Sequence, residues 1–409
     1  MRVLILLLIL LVIDIYAFQA VRTIVTPWSR SFKLALYIPF ILLSVLAYFY
    51  IIGGIQDWFE GWHKNAHIYL RALVFILFFS KLMIAIFIGL DDLRRLVLTV
   101  YNQFSSGPQY DLSRSRFLSQ VGLTLGAIPL LSLTYGMIRN AYRYRVHTIP
   151  IKIKDLPQEL DGLRIVQISD VHSGSFTFKE PIKHGIELIN NLQADLVFFT
   201  GDLVNSVASE MEPYMDLFAQ IQSKNGIYSI VGNHDYGDYH DWDSSKEKIG
   251  NFERLKSIHK EMGWTLLLNE NRIVNIHDQE VAIIGVENYS ALPRFQRYGD
   301  LSTAYKGAQS AAIRLLLSHD PTHWNAQVTS QYQDINLTLS GHTHGFQFGL
   351  EIPGWIKWSP SKYVYKQWAG HYQQGDQHLY VNRGFGVLGY PGRVGILPEI
   401  TLIELKSLS

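Results

Sequence analysis

The sequence contains no cysteine among its 409 residues. Disulfide bonds, zinc sites built from thiolates and a cysteine nucleophile are therefore excluded. The hydrophilic part of the chain also lacks the basic stripe that a nucleic-acid-binding face requires, so we expect no nucleic-acid partner. No protein partner is predicted either, and no internal repeat or low-complexity segment is visible.

Charged residues are unevenly distributed along the chain, although the net charge is only +1. Residues 1–145 carry a net charge of +8, whereas residues 146–409 carry −7. A chain of this length is long enough for two or three domains. The two opposite charges predict a basic membrane portion joined to an acidic soluble portion.

Four apolar segments in the first 145 residues are each long enough to cross a bilayer, which requires about 20 helical residues. The first is apolar on all faces over Leu4–Ile13, whereas a helix of a soluble bundle would have a polar face. It resembles a signal peptide in carrying Arg2 before its apolar run, but it is too long and further spans follow. The sequence therefore predicts a multi-pass integral membrane protein in contact with membrane lipids, with spans at about 3–25, 34–55, 68–90 and 117–138.

Three ionisable residues, Asp14, Arg71 and Lys81, interrupt these spans. A charge at membrane depth is costly unless it is paired or lies in a polar cavity. Pairing of Asp14 with Lys81 or Arg71 between helices is favoured, and Arg71 can instead extend to the interface. A role of the three residues in transport or lipid binding stays open.

The loop charges leave the side of the soluble domain unresolved. Seven Lys or Arg residues lie in the connections opposite the N-terminus, against five on the N-terminal side. The positive-inside rule therefore favours a soluble domain outside the cytoplasm, by a small margin.

The soluble part is predicted to begin with a linker at residues 146–162, because basic and aromatic residues near the last span are typical of a membrane–water interface. Within this segment the pattern becomes strand-like at Ile149-Pro150-Ile151-Lys152-Ile153. From residue 163 to residue 409, apolar runs of five or six residues alternate with helical stretches. This alternation is typical of an α/β or layered α+β domain.

Polar side chains follow five of the predicted strands of this domain. The five clusters are Asp170-Val171-His172, Gly201–Asn205, Gly232–Asp235, Ser318–Asp320 and Gly341–His344. Because ligands bind at the carboxyl ends of strands in open α/β sheets, we expect the clusters to meet at one edge. Carboxylates, imidazoles and one amide oxygen suit Mn, Fe or Zn in a binuclear site. Two divalent metal ions are therefore predicted as cofactors, with a carboxylate as their bridge.

The ordered set Asp-x-His, Gly-Asp-x-x-Asn, Gly-Asn-His-Asp, His and Gly-His-x-His resembles the calcineurin-like metallophosphoesterase superfamily. The resemblance extends from Leu163 to about Glu404. It implies a two-sheet β-sandwich flanked by helices. The expected fold class is therefore a four-span α-helical membrane region followed by an α+β metallophosphoesterase domain.

The same resemblance implies roles for individual residues. One metal ion would be held by Asp170, His172 and His344, and the other by Asn233, His319 and His342, with Asp202 as the bridge. His234 would contact the phosphoryl group or protonate the leaving oxygen, and Asp235 is a candidate for orienting it. The chain departs from the family pattern at Asn205, where many relatives carry aspartate.

Two features of the C-terminal part have alternative interpretations. Residues 346–365 are rich in Trp, Tyr and Phe, and they form an apolar wall of the site, touch the bilayer or cover the core. Arg383 lies in a glycine-rich turn, where it either binds the second phosphate of a diphosphate substrate or is a surface arginine.

The closing segments Gly389–Arg393 and Pro398–Leu405 resemble a membrane-associated branch of the superfamily. That branch includes transmembrane metallophosphoesterase-domain proteins and UDP-2,3-diacylglucosamine hydrolases. Phe346 departs from the branch, because many of its members carry glycine there. The resemblance implies a membrane-bound hydrolase of a phosphodiester or pyrophosphate, with a lipid-linked substrate such as UDP-2,3-diacylglucosamine. The alternatives are a tethered phosphodiesterase acting on soluble substrates, and a transporter or scaffold with a regulatory metal-binding domain.

Overall fold

The computed structural model describes residues 2–104, 112–352 and 354–408. The chain forms two compact units, Met1–Gly136 and Met137–Ser409. The second unit thus begins within the segment that the sequence assigned to the membrane region, and it includes the whole of the predicted linker.

Four long helices form the described part of the first unit: α1 Arg2–Val25, α2 Arg30–Ile55, α3 Lys64–Phe104 and α4 Leu112–Tyr135. Each is long and apolar enough to cross a membrane. Large aliphatic side chains such as Leu8 and Ile41 remain exposed on these helices, as expected for a surface solvated by lipid. The prediction of a multi-pass membrane protein is confirmed.

A buried ion pair connects the first and third helices within this unit. Lys81 Nζ lies 2.5 Å from Asp14 Oδ1 and 2.6 Å from Ser44 Oγ on α2, and Ser44 also donates to Asp14 at 3.1 Å. The structure therefore gives Asp14 the partner Lys81, whereas Arg71 is exposed. Because an unpaired charge is costly in lipid, this polar cluster favours one register of the three helices.

The second unit contains, in its described residues, two six-stranded sheets, one separate two-stranded sheet and several helices. Its strands are β1 Arg145–Ile153, β2 Arg164–Ile168, β3 Leu196–Thr200, β4 Ile227–Ile230, β5 Thr265–Leu266, β6 Glu270–Ile276, β7 Gln279–Gly285, β8 Ile313–Leu317, β9 Leu337–Ser340, β10 Leu350–Ile352, β11 Ile356–Trp358, β12 Gly370–Gln374, β13 Gln377–Val381 and β14 Glu399–Ser407. Its helices are α5 Lys179–Asn191, α6 Met215–Phe218, α7 Ser245–Glu261, α8 Leu301–Ala304 and α9 Thr329–Gln331.

Side chains along each strand point alternately to the two faces of its sheet. The two sheets pack face to face because the side chains on their inner faces form one shared apolar layer. The strand orders are β1-β14-β2-β3-β4-β5 and β12-β13-β9-β8-β7-β6. Ile165 of β2 and Leu315 of β8 belong to one buried cluster between the sheets. Their neighbours Val166 and Leu316 point outward and pack in two further clusters that include helical side chains. The expected two-sheet sandwich flanked by helices is confirmed.

The segment 146–162 is not a linker, contrary to our expectation. β1 lies in this range and pairs in parallel with β14, from Arg145 opposite Glu399 to Ile153 opposite Ser407. Ile151 and Ile153 are fully buried in the layer between the sheets. The basic and aromatic residues that suggested an interface therefore precede an ordinary alternating strand.

Candidate metal centre

Five strands of the sandwich end beside one another and carry the predicted ligands. β2, β3 and β4 are parallel neighbours in one sheet, and β8 and β9 are parallel neighbours in the other. Parallel strands present their carboxyl ends at the same edge of a sheet. The residues that follow these ends, although far apart in sequence, are therefore brought into two adjoining groups.

The first group consists of Asp170, His172 and His344, which are all buried. His344 Nε2 lies 3.1 Å from Asp170 Oδ1 and 3.0 Å from His172 Nε2. Three donor atoms thus converge on one point, which is the arrangement that a metal ion requires.

The second group consists of Asp202, His319 and His342. His319 Nε2 lies 3.1 Å from Asp202 Oδ2 and 3.2 Å from His342 Nδ1. His319 Nδ1 donates to the Thr200 carbonyl at 2.7 Å. Because a carbonyl oxygen can only accept, Nδ1 carries a proton and Nε2 is the ring nitrogen that faces the group.

Asp202 lies between the two groups. Its Oδ2 atom is 3.1 Å from His319 Nε2 in one group and 3.6 Å from His172 Nε2 in the other. Its Oδ1 atom accepts the backbone amide of His234 at 2.9 Å, which holds the carboxylate in this orientation. A single carboxylate facing two ligand sets is the geometry of a bridge between two cations.

The side chain of Asn233 supplies an unsatisfied amide oxygen. Its Nδ2 donates to the Tyr239 hydroxyl at 2.9 Å, whereas its buried Oδ1 has no hydrogen-bond partner among the residues that the structure describes. A buried acceptor without a partner is destabilising by about 1–3 kcal/mol and calls for an explanation. A cation would satisfy this oxygen, as the resemblance implies.

Buried negative charge also favours cations at this centre. Asp170, Asp202, Asp235 and Asp320 are all at most 1% exposed. Their ion-pair partners within the described ranges are histidines, and none is a lysine or an arginine. Buried carboxylates are normally paired or bound to metal, so the donor set fits two divalent ions.

The electrostatics of the imidazoles agree with this assignment. Burial lowers the pKa of His172 well below its usual value and that of His342 to about 4, so both rings are neutral and offer a lone pair at physiological pH. Burial also disfavours the charged form of His319, but the carboxylates of Asp202 and Asp170 outweigh it and raise its pKa to about 10. The raised pKa of His319 reflects the negative charge of these carboxylates, which a bound metal ion would neutralise.

The backbone at the ligands is strained. Asp170, His172, Asp202, His342 and His344 all have φ between 45° and 72°. Residues other than glycine occupy this left-handed region infrequently, and such conformations cluster at functional sites. The surrounding sandwich thus holds five of the seven predicted ligands in conformations that the free chain would avoid.

Two glycines allow the ligands to approach closely. A Cβ atom at Gly341 would lie 1.9 Å from Ser169 Oγ and 2.2 Å from Asp170 Oδ2. A Cβ atom at Gly232 would lie 2.3 Å from Asp202 Oδ1. Any larger residue at either position would collide with a carboxylate oxygen of the centre, so both positions require glycine.

His234 lies beside the first ligand group and is partly exposed. Its ring meets the His172 ring edge-on, with 4.9 Å between the centroids. Its Nδ1 donates to the Asn205 carbonyl at 2.6 Å. Asn205, where the chain departs from the family pattern, therefore orients His234 through its backbone, which no side-chain motif could reveal.

Asp235 does not orient His234, so this expectation is corrected. Its carboxylate instead accepts the backbone amides of Asp202, Leu203 and Gly232, each at 2.8 Å. Burial and the nearby charge of Asp202 raise the pKa of Asp235 to about 7. The residue fixes the loops after β3 and β4, and with them the bridge and Asn233.

Arg383 does not bind substrate in this structure, contrary to the first of our two interpretations. Its guanidinium lies 2.6 Å from Glu399 and 2.6 Å from Glu351, and it is 4% exposed. Both faces of the fork are therefore occupied by carboxylates. The second interpretation, a surface arginine, is also wrong, because the side chain is buried.

We expect Arg383→Met to lower the free energy of unfolding by about 3–5 kcal/mol, because it leaves Glu399 buried without its partner. Thermal melting of the full chain in detergent would measure this loss. Arg254→Met, which removes an exposed arginine with two carboxylate partners, is the matched control and should change stability by less than about 1 kcal/mol. Unchanged melting of Arg383→Met together with a raised KM would return Arg383 to the substrate site.

Three further residues, Asp320, Tyr365 and Arg294, extend the centre, and the sequence motifs did not single out the last two. His342 Nε2 lies 2.8 Å from the Tyr365 hydroxyl and 3.5 Å from Asp320 Oδ2. Arg294 Nη2 donates to the same hydroxyl at 3.0 Å. Arg294 is exposed, and no carboxylate is paired with it among the described residues. Tyr365 ends the aromatic segment and Arg294 lies in the long connection after β7, so only the fold brings them together.

Comparison with known proteins finds a separate family model for each of the two units. A family model described as a probable calcineurin-like phosphoesterase, transmembrane domain, matches residues 1–141. A second model, described as calcineurin-like phosphoesterase, matches residues 163–346. The gap between the two matches, residues 142–162, contains β1.

Several relatives are described as metallophosphoesterases or as carrying a metallophosphoesterase domain. The uncharacterized metallophosphoesterase YkuE of Bacillus subtilis (strain 168) is 32% identical, over 72% of this chain and 98% of its own. A transmembrane protein with metallophosphoesterase domain from Danio rerio is 31% identical, over 66% of this chain and 60% of its own. The uncharacterized metallophosphoesterase Cj0846 of Campylobacter jejuni is 24% identical, over 96% and 95%. The chain has four helices that can span a membrane and two groups of candidate metal-ligand side chains. It belongs to the calcineurin-like metallophosphoesterases and is a membrane-bound phosphoesterase of that family.

Proposed function

We propose that the second unit hydrolyses a phosphodiester or pyrophosphate at a centre of two divalent metal ions, and that the substrate is linked to a lipid. The observation that carries this proposal is the single oxygen of Asp202 that faces both ligand groups. Asp170, His172 and His344 would hold one ion, and Asn233, His319 and His342 the other. When bound, such ions polarise a phosphoryl oxygen and lower the pKa of the attacking water.

His234 is the proposed catalytic residue of the chain itself. Because Nδ1 donates to the Asn205 carbonyl, Nε2 is the ring nitrogen left for the substrate. In the protonated ring this atom donates a hydrogen bond to a phosphoryl or leaving-group oxygen. The partial exposure of His234 beside buried ligands suits a residue that meets the substrate from the open side.

Arg294 is the group that we propose for a second phosphate. Its exposed guanidinium joins the second ligand group through Tyr365 and His342. A guanidinium without a carboxylate partner can bind two phosphate oxygens in a planar fork. This assignment replaces Arg383, whose fork is filled by Glu399 and Glu351.

We expect Arg294→Gln to raise KM for a pyrophosphate substrate by about tenfold or more, the effect of losing one charge-assisted hydrogen bond. Hydrolysis of p-nitrophenyl phosphate, which has no second phosphate, should change little. Steady-state kinetics on the two substrates would measure the difference, with Arg294→Lys as a variant that keeps the charge but loses the fork. An equal loss on both substrates would contradict a role at the second phosphate.

A lipid-linked substrate is supported by the membrane anchorage of the chain. An enzyme fixed to a bilayer encounters amphipathic substrates at a high effective concentration. The negative charge of residues 146–409 would disfavour approach of free anionic substrates, so partitioning into the membrane would be an advantage.

A substrate panel tests the proposal. The full chain in lipid nanodiscs, stripped of metal and reloaded with Mn²⁺, Fe²⁺ or Zn²⁺, would be given a phosphomonoester, a phosphodiester, a nucleotide-linked diacyl sugar such as UDP-2,3-diacylglucosamine and its deacylated form. We expect metal-dependent hydrolysis with preference for the acylated pyrophosphate. Equal kcat/KM for the acylated and deacylated forms would favour the tethered phosphodiesterase, and no hydrolysis by any metal-loaded form would contradict the proposal.

A further inference from the structure

The segment that follows His344 carries a patch of exposed apolar side chains. We name residues 346–352 and 354–364 the aromatic hairpin. Trp355 is 78% exposed, Tyr363 74% and Phe346 65%. Further side chains of the hairpin are also exposed, namely Phe348, Leu350, Ile352 and Val364. Contiguous apolar patches of this kind mark interaction surfaces in folded proteins.

The hairpin is firmly attached at its base. Its strands β10 and β11 form a sheet of their own. At the base, the Gly349 amide donates to the Val394 carbonyl at 2.9 Å, and Ser359 Oγ donates to the Gly345 carbonyl at 2.7 Å. The patch is therefore a built surface, and the interpretation that it merely covers the core is not supported.

The exposure of Phe346 is imposed by the backbone. Phe346 and Gln347 have φ of 58° and 57°, a region that bulky residues avoid. The buried side chain of Gln347 holds this conformation, because its amide accepts from the Leu388 backbone at 2.6 Å and donates to the Tyr390 carbonyl at 3.1 Å. The strained backbone exposes the ring of Phe346 to solvent, two residues after the ligand His344. Strain of this kind is typical of residues that make a functional contact.

The chemistry of the hairpin fits the surface of a bilayer. Tryptophan and tyrosine are enriched where a protein crosses the membrane–water interface. The hairpin carries a net charge of +1, from Lys357, Lys362 and Glu351, and Lys366 lies two residues after its end, whereas residues 146–409 as a whole carry −7. This local positive charge is complementary to anionic lipid headgroups. Because the four helices of the first unit anchor the chain in a membrane, a bilayer surface is always near the hairpin.

We propose that the tip of the aromatic hairpin inserts into the headgroup region of the membrane in which the chain is anchored. The insertion would bring the metal centre, whose ligand His344 lies two residues before the hairpin, towards the lipid phosphates. This second statement rests on the proposed function, whereas the insertion itself does not.

The absence of cysteine allows a direct test in the full chain. Trp355→Cys, labelled with a nitroxide and placed in nanodiscs of phosphatidylcholine and phosphatidylglycerol, would be compared with Ser257→Cys on the exposed face of α7. The label at residue 355 should be relaxed more by oxygen, which concentrates in lipid, than by a water-soluble nickel chelate. The label at residue 257 should show the opposite order.

Two other outcomes would overturn the insertion. Equal access of the nickel chelate to both labels would place residue 355 in water. Protection of residue 355 from both reagents would indicate that a protein, such as a second copy of the chain, covers the patch.

Kinetics separate this inference from the proposed function. The double variant Trp355→Ser with Tyr363→Ser should lose about tenfold in kcat/KM on a lipid-linked phosphoester, since interfacial binding scales with buried apolar area. Its hydrolysis of p-nitrophenyl phosphate should be unchanged. If the wild-type chain hydrolyses neither substrate, the proposed function fails while the spin labels still decide on insertion. Equal activity of the double variant and wild type on the lipid substrate would overturn the functional part of the inference.

Discussion

Asp202→Asn is expected to abolish hydrolysis and to leave fewer than two metal ions on each chain. The variant keeps the shape of the side chain and an oxygen that can accept the His234 amide. It loses the negative charge of the oxygen that faces His172 and His319. Two neighbouring cations would repel each other strongly, and a neutral amide would not offset this repulsion. A loss of several kcal/mol of transition-state stabilisation corresponds to about 10³–10⁴-fold in turnover.

Metal stoichiometry and turnover of the purified variant would be measured together. Asp376→Asn makes the same chemical change at an exposed ion pair with Lys154 and should leave both quantities unaltered. Thermal melting of the metal-free variant separates this loss from misfolding. Burial opposes the charge of Asp202, but the neighbouring histidines, His319 first, hold its pKa well below the usual value, so removal of the charge also lowers stability near neutral pH. Two bound ions and wild-type turnover in Asp202→Asn would refute a bridging role.

The metal ligands could be predicted from the sequence because the information that places them is local. Each motif follows a short apolar strand, and parallel strands bring their carboxyl ends to one edge whatever their separation along the chain. Gly341 and Gly232 permit the close approach of Asp170 and Asp202, and this role becomes visible only in the structure.

The partners of individual polar groups could not be predicted, because they lie on other elements. Glu399 and Glu351, which surround Arg383, lie 16 and 32 residues away on β14 and β10. Arg294 approaches His342 only through Tyr365. Contacts of this kind depend on how the loops pack, and no periodicity in the sequence records them.

The linker prediction failed for a different physical reason. Residues near a membrane span share their composition with interfacial segments, so Tyr142 to Arg145 suggested a continuous interface. The alternation in Ile149, Ile151 and Ile153 is the stronger signal, because the last two of these side chains are fully buried against β14. A strand period should therefore outweigh composition when the two indicate different structures.

His234→Ala should lower turnover by about 10²–10⁴-fold, the usual contribution of a general acid or base, while the metal content stays at that of the wild type. The metal ions should remain because His234 contacts Asp202 only through its backbone amide, which alanine retains. His240→Ala, which removes an exposed histidine from the same connection, is the matched control and should be nearly neutral.

Metal content and chemical rescue distinguish catalysis by His234 from a structural role. If the ring supplies a proton to the leaving oxygen, added imidazole should restore part of the turnover of His234→Ala, and the effect should be largest for substrates with poor leaving groups. A structural role would instead appear as lost metal or lowered melting temperature, which imidazole would not restore in the same pattern. Full turnover in His234→Ala would mean that the reaction does not need the ring that the Asn205 carbonyl orients. The proton for the leaving oxygen would then have to come from solvent, through the exposed side of the centre.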